Sequence, residues 1–469
     1  MTDPLTNALR PKVGVVSCYF TLFDEQMPAG FRQEREAVAR SYLDLLGQDF
    51  DIVDAGMLTS EAEGDRANAI LREARPDVVV YAPSMAAPPS YAARALAGLD
   101  APLVVWNGPT IERLPDGLTQ AQATVNSSQV AAVMLANTFV RERRPFAAIT
   151  ASPADPAGVA LLKRTVRAAA AASSLRGAAV LRVGTSFPGY LDVESSYSDL
   201  ERLGVSERAI TVPELNDAFA GVDADRIGSG LADLAGRGWV RREGPADERS
   251  MRLALALDDL VRATKAIAVT VNCHSDVLRW NPAIGITACL GASLLTAGGV
   301  PVSCTGDLPT ALALVFARAL SGRALYCEFY TPERETGLML LAAGGEGDPA
   351  WADASHPVVV EPNAHYPGNH GAGTSISFRL EPGPATALSL SPVAGTWRLA
   401  WATGEIVEAR YDKMGGPNGM FRFDSGSAFE AGARWIASGA THHNALAGGR
   451  LDVEIPVLAR ALGIEEVRV

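Results

Sequence analysis

The sequence predicts an α/β protein: two doubly wound parallel-sheet domains, residues 1–153 and 154–349, followed by a C-terminal antiparallel β-rich domain over 350–469 with a closing helix. Three observations carry this. Short apolar runs alternate with helical patterns through the first part of the chain, as expected where strands are buried on both faces and joined by crossover helices. After about residue 350 the texture becomes Pro- and Gly-punctuated alternation, the mark of antiparallel strands. With 469 residues, 48% of them hydrophobic, the chain is too long for one ordinary core and apolar enough for several.

In the first domain the strand-like runs are KVGVVSCYF, FDIVDAG, DVVVYAP, PLVVWNG and FAAITAS, with a helix from about Phe31 after the first and further helices between the others. Ligands of such sheets sit beyond the carboxyl ends of the strands. The loops following Cys18 to Phe20, Tyr81 to Ser84 and Trp106 to Pro109 are therefore the functional edge of this domain. The second domain continues with GAAVLRVGT, ERAITVPEL, a long helix from about Glu248, AIAVTVNC, a helix over Ile284 to Ala297, VPVSCTGD, another helix and ALYCEFYTP. The third reads as HPVVVEPN, GTSISFRL, ATALSLSP, TWRLAWATGEIVEARY and GMFRF, with a last helix over about Asp452 to Leu462.

Charge and motifs exclude several function classes. A net charge of -12 opposes binding to nucleic acid or anionic membranes, which needs a basic surface. Five scattered cysteines, never in a C-x-x-C pair, give no disulfide framework or zinc ribbon. The N-terminus has no apolar stretch behind a basic one, so a cytoplasmic protein is expected. Trp280 to Gly306 carries no charge over a membrane-length stretch, but its prolines and the pair Gly298-Gly299 predict a buried helix followed by a strand. The turn after the first strand lacks a Gly-rich phosphate fingerprint, no P-loop occurs, and the four lysines sit in no pocket motif. What remains is an enzyme acting on a small molecule.

Polar residues at the carboxyl ends of the second domain's strands are the candidates for chemistry. AIAVTVNC delivers Cys273, His274, Ser275 and Asp276; VPVSCTGD delivers Thr305 and Asp307; ALYCEFYTP delivers Glu328; and SGATHHNALAGG offers His442, His443 and Asn444. Two carboxylates and a histidine from separate segments are the minimum for acid–base or metal-assisted chemistry at one cleft. Each has a plainer reading: Asp307 as the N-cap of the helix from Leu308, Glu328 as a cap or an arginine partner, His442 and His443 as a surface turn. Adjacent Cys273 and His274 on a strand point to opposite faces, and Cys304 reads as a buried hydrophobe rather than a nucleophile. His365 and His370, five apart in a Gly/Pro-rich loop, do not form a helical metal pair; a mobile loop or oligomer contact is expected there.

The order CTGDLPTAL, YCEFYTP, GPATALSL, TWRLAWATGE and GATHHNAL resembles the L-arabinose and L-fucose isomerases over most of the chain. The motifs are short, so their common order carries the specificity. The resemblance implies aldose–ketose isomerisation, an intramolecular oxidoreduction in which a divalent metal, usually Mn²⁺, holds two sugar oxygens while carboxylates move a proton through an enediol. It makes Glu328 a metal-binding, proton-transferring acid and His442 the metal histidine. It puts His443 and Asn444 beside the substrate, with Glu346 on a turn near the sugar and His274 and Asp276 as further binding candidates. It implies a homo-oligomer, a trimer or hexamer, with a sugar ligand. Two positions depart from the pattern: Thr305 stands where the family has a glutamate, and Ala343 where the arabinose-type enzymes have a histidine. A threonine hydroxyl neither carries charge nor removes a carbon-bound proton. Asp307 would then be a second acid or an orienter, unless Asp276 substitutes, and Thr305 would leave space or donate a hydrogen bond. The alternatives are altered chemistry on a modified sugar or polyol, or a non-catalytic carbohydrate-binding protein.

Overall fold

The computed structural model describes residues 10–111, 113–363, 371–407, 411 and 413–469, and the chain divides into two compact units. One takes the described residues up to Ser174 together with Val453–Gly463; the other takes Leu175–Asp452 and Ile464–Val469.

In the first unit Lys12–Cys18 (β1), Asp51–Leu58 (β2), Val78–Tyr81 (β3), Leu103–Asn107 (β4) and Ala147–Thr150 (β5) form a parallel sheet in the order β2-β1-β3-β4-β5. Every residue of β3 and β4 is buried, which is why these runs are continuously apolar rather than alternating. Strand order reverses between β1 and β3, so the crevice at their carboxyl ends is the topological switch point. The helix Glu454–Leu462 packs on Pro156–Ala171, where Arg164 grips the buried Glu454 with two hydrogen bonds of 2.6 and 2.8 Å.

The second unit holds a parallel sheet, a largely antiparallel one and a small mixed one. Ala179–Val183 (β6), Ser206–Ile210 (β7), Ala268–Val271 (β9) and Val302–Cys304 (β10) run parallel in the order β10-β9-β6-β7. The two-residue Val240–Arg241 (β8) joins Val359–Pro362 (β13) and Thr374–Ser377 (β14) in a small separate sheet. Ala324–Pro332 (β11), Met339–Ala342 (β12), Gly383–Val393 (β15), Thr396–Val407 (β16), Asn418–Phe423 (β17), His443–Gly448 (β18) and Glu465–Arg468 (β19) form a seven-stranded sheet ordered β15-β18-β11-β12-β17-β16-β19. An added β15–β16 pairing curls it toward a barrel, and β19 is its one parallel addition among the described residues. The architecture is thus α/β with two parallel sheets and an antiparallel β-rich C-terminal part.

Several elements differ from the sequence expectation in informative ways. The helix expected over Ile284 to Ala297 starts only at Cys289. The Asn281 side chain takes the Ala283 amide, Pro282 follows it and Gly285 is left-handed, so the chain turns before it coils. ALYCEFYTP follows an α/β alternation, yet as β11 it pairs antiparallel with β12 and β18. HNALAG, readable as a turn, is the strand β18. Among the described residues no helix is long and apolar enough to cross a membrane. His365 and His370 lie outside the described residues.

Candidate active site

The centre of the site is a cross-strand pair. Antiparallel pairing sets Glu328 of β11 directly opposite His443 of β18, which puts their side chains on one face. His443 is 1% exposed, and its Nε2 lies 3.6 Å from Glu328 Oε1; the Glu328 side chain is about one-third exposed. Tyr326, two residues before Glu328 and so on the same face, lays its ring 4.9 Å from that of His443.

Behind His443 stands Asp307. Its Oδ1 accepts the Thr310 amide at 2.8 Å and caps the helix Leu308–Ser321, while its Oδ2 meets His443 Nδ1 at 2.8 Å. One aspartate thus both caps the helix and holds the histidine. With Nδ1 against a buried carboxylate, Nε2 is the ring nitrogen turned toward Glu328, so Asp307, His443 and Glu328 stand in a line whose second gap, 3.6 Å, is longer than a direct hydrogen bond.

The turn that aims Asp307 is constrained. Thr305 has φ +56°, a left-handed conformation unusual for a β-branched residue, and Gly306 follows at φ +73°. The Thr305 hydroxyl donates to the Cys304 carbonyl at 2.8 Å, while its own carbonyl accepts the Phe187 amide at 2.9 Å. Ser303 donates to the Asp307 carbonyl from the other side. The turn is therefore tied to the loop after β6 and to itself.

Glu346 is buried beside this line. Burial pushes its carboxyl above the ordinary value of 4.5, and the negative charge of Glu328 adds to that, against a hydrogen bond from the Cys304 thiol. Burial also pushes Tyr326 and Tyr330 up, and Tyr330 is hydrogen-bonded to Glu328. A buried carboxyl pushed toward its neutral form, beside a second carboxyl that is one-third exposed, is an arrangement that suits an acid. It also has a stability consequence. A carboxyl raised in the folded chain keeps its proton where the unfolded chain has lost it, so stability falls as pH rises from about 4.5 through the folded value. Glu346→Gln is expected to flatten that fall, raising Tm by a few degrees at about pH 8 with no difference near pH 4, as read by thermal melts across pH.

His442 is held by a second aspartate. Its Nδ1 lies 2.6 Å from Asp192 Oδ2, and its backbone amide donates to the same oxygen at 2.9 Å. Its ring stacks 3.7 Å from that of His443 and meets Tyr190 edge-on at 5.0 Å. Tyr190 packs on Phe187, whose ring meets His274 at 6.0 Å. His274 Nδ1 is 3.5 Å from the Arg279 guanidinium. Asn444 is buried next to His443 but on the opposite face of β18, and Asp276 is exposed. The structure therefore brings together Asp307, Glu328, His443 and Glu346, with His442 and Thr305 alongside. Asp192, Tyr190 and Tyr326 join them without having been named by the sequence. For Asp192 and Tyr190 the available signal was position, since they lie in the loop at the carboxyl end of β6.

The metal implied by the resemblance can be tested against these donors. Nδ1 of each histidine is held by an aspartate, which leaves Nε2 open as metal-binding imidazoles require, but the Thr305 hydroxyl is committed to a backbone carbonyl and Ala343 offers no donor. Among the described residues no group of three or more His, Cys, Asp or Glu side chains is placed to hold a metal ion. The residues as arranged do not fit the cage that a hard divalent cation requires.

Comparison with known proteins bears on the same segment. Residues 323–465, which contain β11, Glu328, Glu346 and β18, match the model of the L-arabinose isomerase C-terminal domain. This part of the chain is similar to that domain; the match covers less than half of the sequence. No curated protein matches the chain. Among solved structures, an ABC transporter periplasmic solute-binding protein from Actinobacillus succinogenes 130z with bound D-allose is 10% identical, covering 67% of this chain and 92% of that one at a TM-score of 0.17. A solute-binding protein from Agrobacterium vitis bound with alpha-D-tagatopyranose is 13% identical, covering 64% and 93% at 0.14. At those scores neither likeness bears on fold or function.

Proposed function

We propose that this chain is a sugar isomerase-like enzyme that moves a proton between neighbouring carbons of an aldose by acid–base chemistry centred on Glu328. The observation that carries the reading is the Asp307–His443–Glu328 line, which lies within or against the segment similar to the L-arabinose isomerase domain. Glu328 is exposed enough to reach a substrate and is backed by a histidine whose orientation a buried aspartate fixes. In the reaction, Glu328 takes the proton from the carbon beside the carbonyl. The C–H electron pair becomes the C=C bond of an enediol, and the carbonyl oxygen gains a proton. The C=C electrons then take a proton at the other carbon while the hydroxyl on the first carbon gives up its own and becomes the new carbonyl, which completes the isomerisation. Glu346, which burial pushes toward its neutral form, is the acid assigned to the developing oxygen charge.

No step is routed through a metal, since the donor set does not complete a cage. Where the resemblance implies Mn²⁺, Thr305 stands in place of an anionic ligand, and ligand charge sets affinity for hard cations. Thr305→Glu is expected to tighten Mn²⁺ binding by at least about tenfold in calorimetric titration and to raise isomerase activity with it. The substitution suits the backbone, because an unbranched side chain is less strained at this φ than threonine. If the variant instead abolishes a native activity without gaining metal, Thr305 belongs to altered chemistry on a modified sugar or polyol, the reading that its turned-away hydroxyl favours. The direct test of the proposal is a panel of aldoses followed by NMR in D₂O. Deuterium appearing at the carbon beside the carbonyl supports it, and a panel without exchange or ketose would sink it. A trimer or hexamer, the assembly that the resemblance implies, is measurable by light scattering on the same preparation.

A further inference from the structure

His442 and His443 are each held at Nδ1 by an aspartate, but only the Asp307–His443 bond is explained by the line that ends at Glu328. The second is as well made: Asp192 Oδ2 takes both the His442 ring and the His442 amide, at 2.6 and 2.9 Å. The two residues are 250 positions apart, so the contact fixes the loop after β6 against the start of β18. A bond this short between imidazole and carboxylate is charge-assisted, and the doubled contact to one oxygen leaves the ring little freedom to flip. The Tyr190 ring at 5.0 Å and the His443 ring at 3.7 Å confine it further. Nδ1 is thereby the protonated nitrogen. His442 Nε2, in a side chain 38% exposed, has no protein partner among the described residues.

We propose that Asp192 is a positioning residue that holds His442 in the Nδ1–H tautomer, so that Nε2, in a ring 3.7 Å from that of His443, presents a lone pair to a substrate hydroxyl. The inference rests on the sugar reading for its substrate, a polyhydroxylated chain, and on geometry alone for the tautomer. A hydroxyl adjacent to the reacting carbons is a donor that such a lone pair accepts, and His442 then fixes the sugar's position without itself moving the proton. An Nε2–H tautomer presents a donor there instead, and the hydroxyl has to reverse or leave.

Two readouts separate the claim from a structural role. Long-range ¹H–¹⁵N NMR of the full chain, with His442 assigned through His442→Gln, reports which ring nitrogen carries the proton. Nδ1–H in the wild type and a mixture of tautomers in Asp192→Ala are expected. In the kinetics, Asp192→Ala is expected to raise KM for the best aldose about tenfold, one good hydrogen bond to a charged-assisted acceptor, with kcat within about threefold. Asp192→Asn, whose single amide oxygen can accept both contacts without the charge, is expected to fall between the two. A wild-type His442 with its proton on Nε2 would overturn the proposal, as would an Asp192→Ala variant that loses kcat with KM unchanged. If the wild type turns over no aldose, the isomerase reading fails; the tautomer measurement needs no substrate and then decides the positioning claim by itself.

Discussion

Glu328→Gln is expected to lower turnover of the best aldose by about 10²–10⁴-fold, the usual worth of a positioned general base, with KM changed by less than about threefold. Glutamine keeps the size and hydrogen-bonding shape of the side chain but cannot accept a carbon-bound proton. The expected loss therefore falls on kcat and on deuterium exchange at the carbon beside the carbonyl. Because Glu328, although on an interior strand of the sheet, is one-third exposed, and glutamine keeps an acceptor oxygen, the change leaves no buried group unpaired. Melting temperature should hold, which separates chemistry from folding. His443→Gln is expected to lose activity through the same line, since Asp307 then orients nothing that reaches Glu328. Groups that act as a unit do not add, so the double variant should be little worse than Glu328→Gln alone. A Glu328→Gln protein that still exchanges deuterium at the wild-type rate would remove this residue from the mechanism.

How much of this is readable without coordinates depends on which physical signal each part leaves in the sequence. The first parallel sheet is legible because burial on both faces forces continuous apolar runs, as in VVVY of β3 and LVVWN of β4, and the crossover helices separate them. The barrel-like sheet is legible as a class through its alternation, but its order is not. β11 is preceded by a helix and reads like one more parallel strand, whereas its hydrogen-bond partners are β12 and β18. Partner choice is a tertiary decision that local pattern does not encode. The helix Ala428–Ala437 shows the opposite case: Ser427 capping the Glu430 amide is a readable start signal in a region whose Gly and Pro texture draws attention to strands.

The site divides along the same line. Asp307, Glu328 and the histidine pair are legible because they end strands or follow motifs in a recognisable order. Which histidine faces Glu328 is a matter of register, and a shift of one residue exchanges the two faces of a strand. The Glu328–His443 pairing exists only in the folded sheet. Asp192 leaves even less trace, a carboxylate in an irregular loop whose partner lies 250 residues on. Long-range contacts of this kind carry no local period to detect, and position at the carboxyl end of a strand is the single rule that points to them.

Gly306→Ala is expected to destabilise the protein by about 2–4 kcal/mol, more than left-handed strain alone costs, and to lower activity beyond what the loss of folded protein explains. Gly306 has φ +73°, and a Cβ there would lie 2.4 Å from the Thr185 carbonyl oxygen, 2.7 Å from its carbon and 2.8 Å from the Ser186 Cα. All three are backbone atoms, so relief requires the loop after β6 or the turn itself to move. The turn cannot move cheaply, since Asp307 follows at once, caps its helix and holds His443. Displacing it by a few tenths of an ångström spoils both contacts together. The other end of the same helix supplies the control. Gly322 closes Leu308–Ser321 at φ +77°, and a Cβ there meets nothing within 4 Å. Gly322→Ala should therefore cost only the conformational strain, about 1–2 kcal/mol, with activity per folded molecule intact. Urea unfolding of both variants, with turnover measured on the same samples, separates the terms. Equal costs at the two glycines would mean that the Thr185–Ser186 backbone does not press on the turn, and the activity of Gly306→Ala would then have to be explained by something other than the aim of Asp307.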